Sequence, residues 1–227
     1  MMRALARYAA KAILWFVGLT LILVIAFKWL PVPVTATMLM DENGFTKDWE
    51  SLGHIDRNLV AAVIAAEDSR FCQHFGFDAE AIEQAMRENM EAAANGGRIR
   101  GGSTISQQTA KNVFLWQGGG FLRKGLEAWF TFWIEAVWGK RRIMEVYLNV
   151  AETGIGTYGA EAGAQRYFGH SAARLSADEA SRMAAALPSP KKRSVKAPRG
   201  WLAAHGNRIQ RRIGIVRRDG LDACVYN

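Results

Sequence analysis

Residues 65–78 read AAEDSRFCQHFGFD, the most distinctive stretch of this chain. An apolar run from Leu59 to Ala66 has the spacing of a helix, and it ends at two adjacent acids, Glu67 and Asp68. A phenylalanine-rich turn follows. Burial among aromatic side chains raises the pKa of a carboxyl group toward the pH at which a general base works. The pattern predicts a helix that ends at a reactive carboxylate, although a solvated helix end beside a packed aromatic turn also fits these residues.

Three further blocks follow in order. Residues 101–112 read GGSTISQQTAKN, residues 123–127 read RKGLE, and residues 142–149 read RIMEVYLN. Together with residues 65–78 they resemble the signature of the peptidoglycan glycosyltransferases, which occur as single-domain enzymes and within bifunctional penicillin-binding proteins. The resemblance covers roughly residues 50–215. Four blocks in series at compatible spacings are much more specific than any one of them.

The resemblance implies an all-α, lysozyme-like domain that polymerises lipid II into glycan strands. The donor would be a growing strand on a polyprenyl diphosphate, and the acceptor would be the disaccharide precursor lipid II. The sequence itself also favours a helical domain, because no run of alternating apolar residues predicts a sheet of any size. Helices are predicted over residues 79–94, 105–115, 121–138, 140–150, 160–168, 177–187 and 202–216.

Catalytic roles follow from the resemblance. Glu67 would be the base that deprotonates the acceptor 4-hydroxyl, which then attacks the anomeric carbon of the donor with inversion. Asp68 would orient the site. Glu127 would be the second acid, acting on the leaving group or as a structural partner of Arg123 four residues earlier. The departing diphosphate needs fixed positive charge, and Lys111 and Arg123 match the family positions that supply it.

Neutral hydrogen bonds to sugar or phosphate oxygens are expected from Ser103, Thr104 and Gln108, whose alternative roles are helix capping and polar helix surface. No His or Cys pair has the spacing of a metal site. The one cofactor that the expected reaction could use is a divalent cation bound at the donor diphosphate. The expected supporting residues are Asp68, His74, Asn112 and Lys124.

Two features depart from the family pattern. Many relatives carry a basic residue on the helix after the first block, where this chain has Gln84; either Arg87, nearly one turn on, replaces it or the donor site is less positive. The chain ends at Asn227 without a Ser-x-x-Lys site beyond the region of resemblance, roughly residues 50–215, so we expect no transpeptidase activity and no covalent binding of β-lactams. In the last block, Glu145 and Asn149 are interpreted as scaffold.

A membrane anchor is predicted at the N-terminus. Residues 12–27 contain no charge or amide, and the helical candidate from about Tyr8 to Leu30 has the roughly 20 residues that span a bilayer. Three basic residues precede it and only Lys28 follows closely, which places the N-terminus in the cytoplasm and the remainder outside. A cleaved signal peptide is the alternative, with a small-residue site at residues 34–36.

These signals divide the chain into two parts. Residues 1–34 are predicted to be the cytoplasmic end, the spanning helix and a proline linker. Residues 35–227 are predicted to be the enzyme domain, on the periplasmic side of the inner membrane. Cys72 and Cys224 could form a disulfide in that oxidising compartment, or remain two buried thiols.

The composition limits the classes of binding partner that this chain is expected to have. A net charge of +8 favours an anionic partner: nucleic acid, anionic lipid or a phosphorylated substrate. No zinc-finger, bZIP or RRM pattern accompanies this charge, so nucleic acid is set aside. Eight Trp and eleven Phe suit contact with membrane lipids, and cell-wall synthesis proteins are candidate partners. Two rival functions remain open: a lytic transglycosylase or muramidase of the same fold, and a non-catalytic cell-wall scaffold.

Overall fold

The computed structural model describes residues 2–95 and 101–226, and these residues are predominantly helical. The predicted break at Gly96 and Gly97 lies outside the described residues. In chain order the helices are α1 (Met2–Trp29), α2 (Ala36–Leu39), α3 (Arg57–Glu67), α4 (Ala79–Asn95), α5 (Ile105–Phe114), α6 (Gly120–Val150), α7 (Ala160–Phe168), α8 (Ala177–Ala186), α9 (Trp201–Arg218) and α10 (Ala223–Tyr226). Three short strands, β1 (Thr46–Lys47), β2 (Glu152–Gly154) and β3 (Thr157–Tyr158), form a small sheet in the order β1-β3-β2.

The all-α expectation is confirmed, with one local difference. The small sheet was not predicted, because strands of two or three residues are too short to show an alternating pattern. The predicted break at residue 139 is present inside α6. Gly139 has φ 73° and ψ 165°, which is not a helical conformation and which a side chain would strain. Helix α6 therefore consists of two helical halves that meet at a kink, as the sequence predicts.

Helix α3 forms the centre of the domain. Every residue from Leu59 to Ala65 is buried, and the helix packs against α8 and α9. A helix that is apolar on all sides is stable only when other elements surround it, which explains its uninterrupted apolar sequence. Asp56 caps its first turn by accepting from the Asn58 amide at 2.7 Å. The last residue of this buried helix is Glu67.

The C-terminal segment is fastened beside the turn that follows α3. Cys72 and Cys224 form a disulfide with a Cα–Cα distance of 5.5 Å, which resolves the question that the sequence left open. Buried Asp222 accepts two hydrogen bonds of 2.8 Å from the guanidinium of Arg57, at the start of α3. The two ends of the domain are thereby joined next to residues 65–78.

Helix α1 is long and apolar enough to cross a membrane, with a mean hydropathy of 2.3 over its most apolar window. Its C-terminal half packs against α6. Trp129 donates to the Thr20 hydroxyl at 3.4 Å, and Trp138 donates to the Val24 carbonyl at 2.6 Å. Arg142 donates to the Phe27 carbonyl at 2.9 Å. The helix is consequently part of the packed structure and is not separated from the domain by its linker.

Candidate active site

Glu67 stands where α3 ends and keeps part of its surface open to a cleft. Gln108, on α5, donates from Nε2 to Glu67 Oε2 at 2.8 Å, and the hydroxyl of Tyr147 donates to Gln108 Oε1 at 3.4 Å. Burial raises the pKa of Glu67, while the hydrogen bond from Gln108 and the charge of Arg193 act in the opposite direction. The neighbouring charge of Asp68 raises the pKa of Glu67 further. A carboxylate in this environment is suited to accept a proton.

Asp68 fixes the turn around the base. It is buried, and its carboxylate accepts from His74 Nε2 at 3.0 Å and from the backbone amide of Ile105 at 3.0 Å. One side chain therefore ties the end of α3 to the aromatic turn and to the start of α5. Asp68 and His74, two of the expected supporting residues, are thus in direct contact beside Glu67.

The same turn brings together three groups of the kind that bind metal ions. Ligand atoms of Asp68, His74 and Asp78 all lie within 4.8 Å of one another. Asp78 also accepts from the Ala81 amide at 3.0 Å and faces Arg70 Nε at 3.6 Å. Each of the two carboxylates accepts at least one hydrogen bond, so the three side chains hold this turn together.

Helix α5 starts with a capping box. The Thr104 hydroxyl accepts from the Gln107 amide at 3.1 Å, and the Gln107 side chain accepts from the Thr104 amide at 3.1 Å. The same hydroxyl donates to the Gly76 carbonyl at 2.6 Å. Of the two roles open to Thr104, its buried hydroxyl performs the capping role, and its one proton is donated to the Gly76 carbonyl. Gly76 has φ 79°, and a Cβ there would meet Thr131 at 2.7 Å, so the close approach requires glycine.

A cluster of cations surrounds Glu127, which is only 3% exposed. Arg123 Nη1 contacts one carboxylate oxygen at 2.6 Å, and Lys124 Nζ contacts the other. Lys124 also contacts the Ser103 hydroxyl at 3.2 Å, which links this cluster to the start of α5. Burial lowers the pKa of Lys111. The negative charge of Glu127 raises this pKa, and the positive charge of Arg123 lowers it. Residues from the second and third blocks thus form one positively charged group.

The cleft beside Glu67 has a cavity of about 220 Å³ whose lining includes Ser103 and Gln84. Gln84, where the resemblance implies a basic residue, therefore lies at the cleft. Arg87 does not replace that residue, because it is exposed, pairs with Glu83 and does not line this cavity, which leaves the alternative of a less positive donor site. Asn112 is half-buried on α5, and no hydrogen bond among the described residues of this cluster involves it.

Three side chains near the base were not assigned from sequence. Tyr147 belongs to the fourth block, but nothing in its spacing indicates contact with Gln108. Arg193 lies in the basic loop after α8, and Arg212 lines the cleft from α9. The positive charge of the two arginines was the one feature of the sequence that could have indicated a role in the site. Whether a charge on a loop or a helix faces the cleft depends on tertiary packing, which the sequence pattern does not show.

Glu145 and Asn149 of the fourth block support the backbone of a neighbouring segment, which agrees with their interpretation as scaffold. Glu145 accepts from the Leu52 amide at 2.9 Å. The Asn149 side chain accepts from the Glu50 amide and donates to its carbonyl, both at 2.8 Å. These bonds hold residues 50–52 against α6. Glu152, just beyond the block, lies 3.5 Å from Lys191 and away from the cleft.

A carboxylate of raised pKa beside a group of fixed cations is the arrangement of an enzyme that deprotonates one substrate while an anionic group leaves another. The family model described as Transglycosylase matches residues 35–214. The chain is 52% identical to a biosynthetic peptidoglycan transglycosylase of Caulobacter vibrioides, with 89% of this chain and 88% of that protein covered. It is 50% identical to a protein of the same name from Rhodospirillum centenum, with 92% of each covered. The chain belongs to the transglycosylase family, and the enzyme class expected from the four blocks is confirmed.

Proposed function

We propose that this protein polymerises lipid II into the glycan strands of peptidoglycan. The observation that carries the proposal is the position of Glu67: its pKa is raised, Gln108 holds it, and it lies in an open cleft. Glu67 takes the proton of the acceptor 4-hydroxyl. The oxygen forms a bond to the anomeric carbon of the donor strand, with inversion, while the bond from that carbon to the diphosphate breaks.

The leaving polyprenyl diphosphate is stabilised by Lys111 and Arg123. Both oxygens of Glu127 are engaged by cations, which favours its structural role over that of a proton donor. Glu127 then orients Arg123 and Lys124 toward the donor side, with Ser103 at the edge of the same cluster. A divalent cation at the diphosphate would add to these charges, and activity after chelator treatment measures its contribution.

The topology proposed for this activity has α1 across the inner membrane, the N-terminus in the cytoplasm and residues 35–227 in the periplasm. Support comes from the apolar surface of the domain as well as from α1. At the start of α6, Phe121 is 98% exposed and Leu122 is 76% exposed, which suits immersion in lipid. An enzyme whose surface is partly immersed in the membrane can bind lipid-linked substrates directly from the bilayer. Other cell-wall synthesis proteins would contact it at the same membrane surface.

The rival reading is an enzyme of the same fold that cleaves glycan strands. Cleavage by water produces no lipid diphosphate, so it would leave the cations around Glu127 without a role. Purified full-length protein should be incubated with labelled lipid II and, separately, with preformed strands. Long strands with release of polyprenyl diphosphate are the expected products. Degradation of preformed strands without any polymerisation would refute the proposal.

A further inference from the structure

The positive charge of this chain is concentrated in one segment. Residues 180–218 hold eleven Lys and Arg and no Asp or Glu. The remaining residues have eighteen basic and twenty-one acidic side chains, a net charge of −3, while the whole chain is +8. The cleft uses Arg193 and Arg212 from this segment. Most of its cations therefore have no part in the site described above.

Within this segment, residues 188–196 form an ordered loop. The Ser189 amide donates to the Ala186 carbonyl at 3.0 Å, and the Lys192 amide donates to the Ser189 carbonyl at 3.0 Å. Val195 is 1% exposed and anchors the far side of the loop in the core. Lys192 and Lys196 are exposed on either side of this anchor. Their separation is fixed by the fold of the loop.

Two cavities, of about 470 and 440 Å³, share the part of the loop that contains Lys191 and Lys192. The first contains two acids, Asp41 and Glu152, and Lys191 neutralises them at 3.0 and 3.5 Å. The lining of the second includes Lys196 and contains no acid. Among the described residues, neither Lys192 nor Lys196 makes an ion pair. Two unpaired lysines therefore face concave surfaces that the cleft of Glu67 does not share.

The first cavity lies beside the segment that follows α1. Thr37 and Met40 line it, and Met40 is 60% exposed. The adjacent Leu39 is 70% exposed. Lys47 donates to the Pro33 carbonyl at 3.1 Å and holds the linker against the domain. If α1 spans the membrane as proposed, exposed apolar side chains this close to its end lie at the boundary between acyl chains and headgroups, with Lys192 in the same cavity and Lys196 in the adjoining one.

We propose that Lys192 and Lys196 bind the phosphate headgroup of an anionic phospholipid in the membrane that holds α1. Charge complementarity selects the occupant, because a phosphodiester with no balancing cation is attracted to unpaired lysines, while the choline of a zwitterionic lipid is repelled. The site is separate from the chemistry at Glu67. It depends on the membrane topology proposed above and not on glycosyl transfer.

The test uses full-length protein in neutral detergent. Its melting temperature is followed while short-chain phosphatidylglycerol or phosphatidylcholine of the same chain length is added, since a ligand that binds the folded state raises the melting temperature. The double variant Lys192→Gln/Lys196→Gln removes the proposed contacts. Arg208→Gln/Arg211→Gln is the matched control, because it removes the same charge from the exposed face of α9. We expect phosphatidylglycerol to bind the lysine variant about thirtyfold more weakly, and the control within about twofold of the unaltered protein.

Two further arms distinguish the source of the phosphate. Inorganic pyrophosphate, added in place of lipid at equal phosphate concentration, should not raise the melting temperature as phosphatidylglycerol does. Polymerisation of lipid II in phosphatidylcholine vesicles should be within about twofold of normal in the lysine variant, because the substrate diphosphate lies elsewhere. The proposal is overturned if both lipids raise the melting temperature equally, or if the lysine variant shows the full rise with phosphatidylglycerol. It is also overturned if pyrophosphate gives a rise that depends on the two lysines, or if the lysine variant loses most of its polymerisation activity in phosphatidylcholine vesicles.

Discussion

Gln108 donates a hydrogen bond to Glu67 over 2.8 Å, and the same amide accepts from Tyr147 at 3.4 Å. The Tyr147 contact orients the amide so that its NH₂ group faces the carboxylate. Burial disfavours the ionised form of Glu67, whereas this hydrogen bond favours it. The pKa of the base is therefore raised, but by less than burial alone would raise it. The geometry sets how basic the site is and the pH at which it becomes active.

The first prediction concerns the pH dependence of turnover. Gln108→Ala removes a hydrogen bond that stabilises the ionised carboxylate, so the pKa of Glu67 should rise further. Since the base must be unprotonated to act, the acid limb of the kcat/KM profile should move to higher pH. The loss on that limb should be about tenfold, with partial recovery in alkaline buffer. An acid limb at the same pH as in the unaltered protein would contradict this role of Gln108.

The second prediction separates the cations from the base. Arg123→Ala and Lys111→Ala should each lower turnover by about ten- to a hundredfold, because their charges stabilise the leaving diphosphate. Arg123→Lys keeps the charge but loses the planar fork, so its loss should be smaller. An inhibitor that mimics the lipid diphosphate should bind both alanine variants more weakly, as measured by calorimetry. Glu67→Gln serves as the control and should keep most of the inhibitor affinity; unchanged affinity in the alanine variants would place the diphosphate elsewhere.

The third prediction concerns the disulfide. Cys72 and Cys224 are 152 residues apart, so reduction releases a long loop in the unfolded chain. Cys72→Ser/Cys224→Ser should lower the free energy of unfolding by about 2–4 kcal/mol. A reductant should lower the melting temperature of the unaltered protein and leave that of the variant unchanged. A reductant-insensitive melting temperature in both proteins would show that the bridge contributes nothing to stability.

The fourth prediction concerns the membrane surface of the domain. Deleting residues 1–30 removes α1 and uncovers Trp129 and Trp138, which it covers in the intact chain. Together with exposed Phe121, this face should keep the truncated domain associated with membranes, though more weakly than the intact protein. Flotation with liposomes measures the association. Complete absence from the lipid fraction at low and moderate salt would mean that α1 alone contacts the bilayer.

Much of this architecture is predictable because it depends on local patterns. The apolar run of α3 is uninterrupted because the helix is buried on all sides, and the same run places Glu67 at its end. Gly139 follows the same reasoning. A glycine between two helical patterns predicts a break, and the non-helical φ and ψ of Gly139 divide α6 into two helical halves.

The site was less predictable, since its contacts join blocks that are far apart in the chain. The sequence placed Gln108 near substrate, but its amide faces Glu67, 41 residues earlier. Thr104 was a candidate both for substrate binding and for helix capping. Its hydroxyl donates to the carbonyl of Gly76, 28 residues earlier in the chain, a contact that the sequence does not indicate. Arg193 carries an obvious charge, yet only the path of its loop brings that charge close enough to affect the base.

The role of Glu67 can be separated from its effect on folding. Because its pKa is raised in the folded state, any stability linked to its protonation is present at low pH and is lost as the pH rises through that pKa. Glu67→Gln mimics the protonated form at every pH. The variant should therefore unfold at the same temperature as the unaltered protein in acid and at an equal or higher temperature at neutral pH. A lower melting temperature at neutral pH would mean that the substitution damages the fold.

The most direct test is the rate of lipid II polymerisation by intact protein and by Glu67→Gln under identical conditions. The substitution keeps the size of the side chain and its ability to hydrogen-bond with Gln108, but it removes the base. The rate should fall by about two to four orders of magnitude, with the variant still folded and still able to bind the diphosphate mimic. Polymerisation by Glu67→Gln at the normal rate would show that another group takes the proton, and the assignment of Glu67 as the base would be wrong.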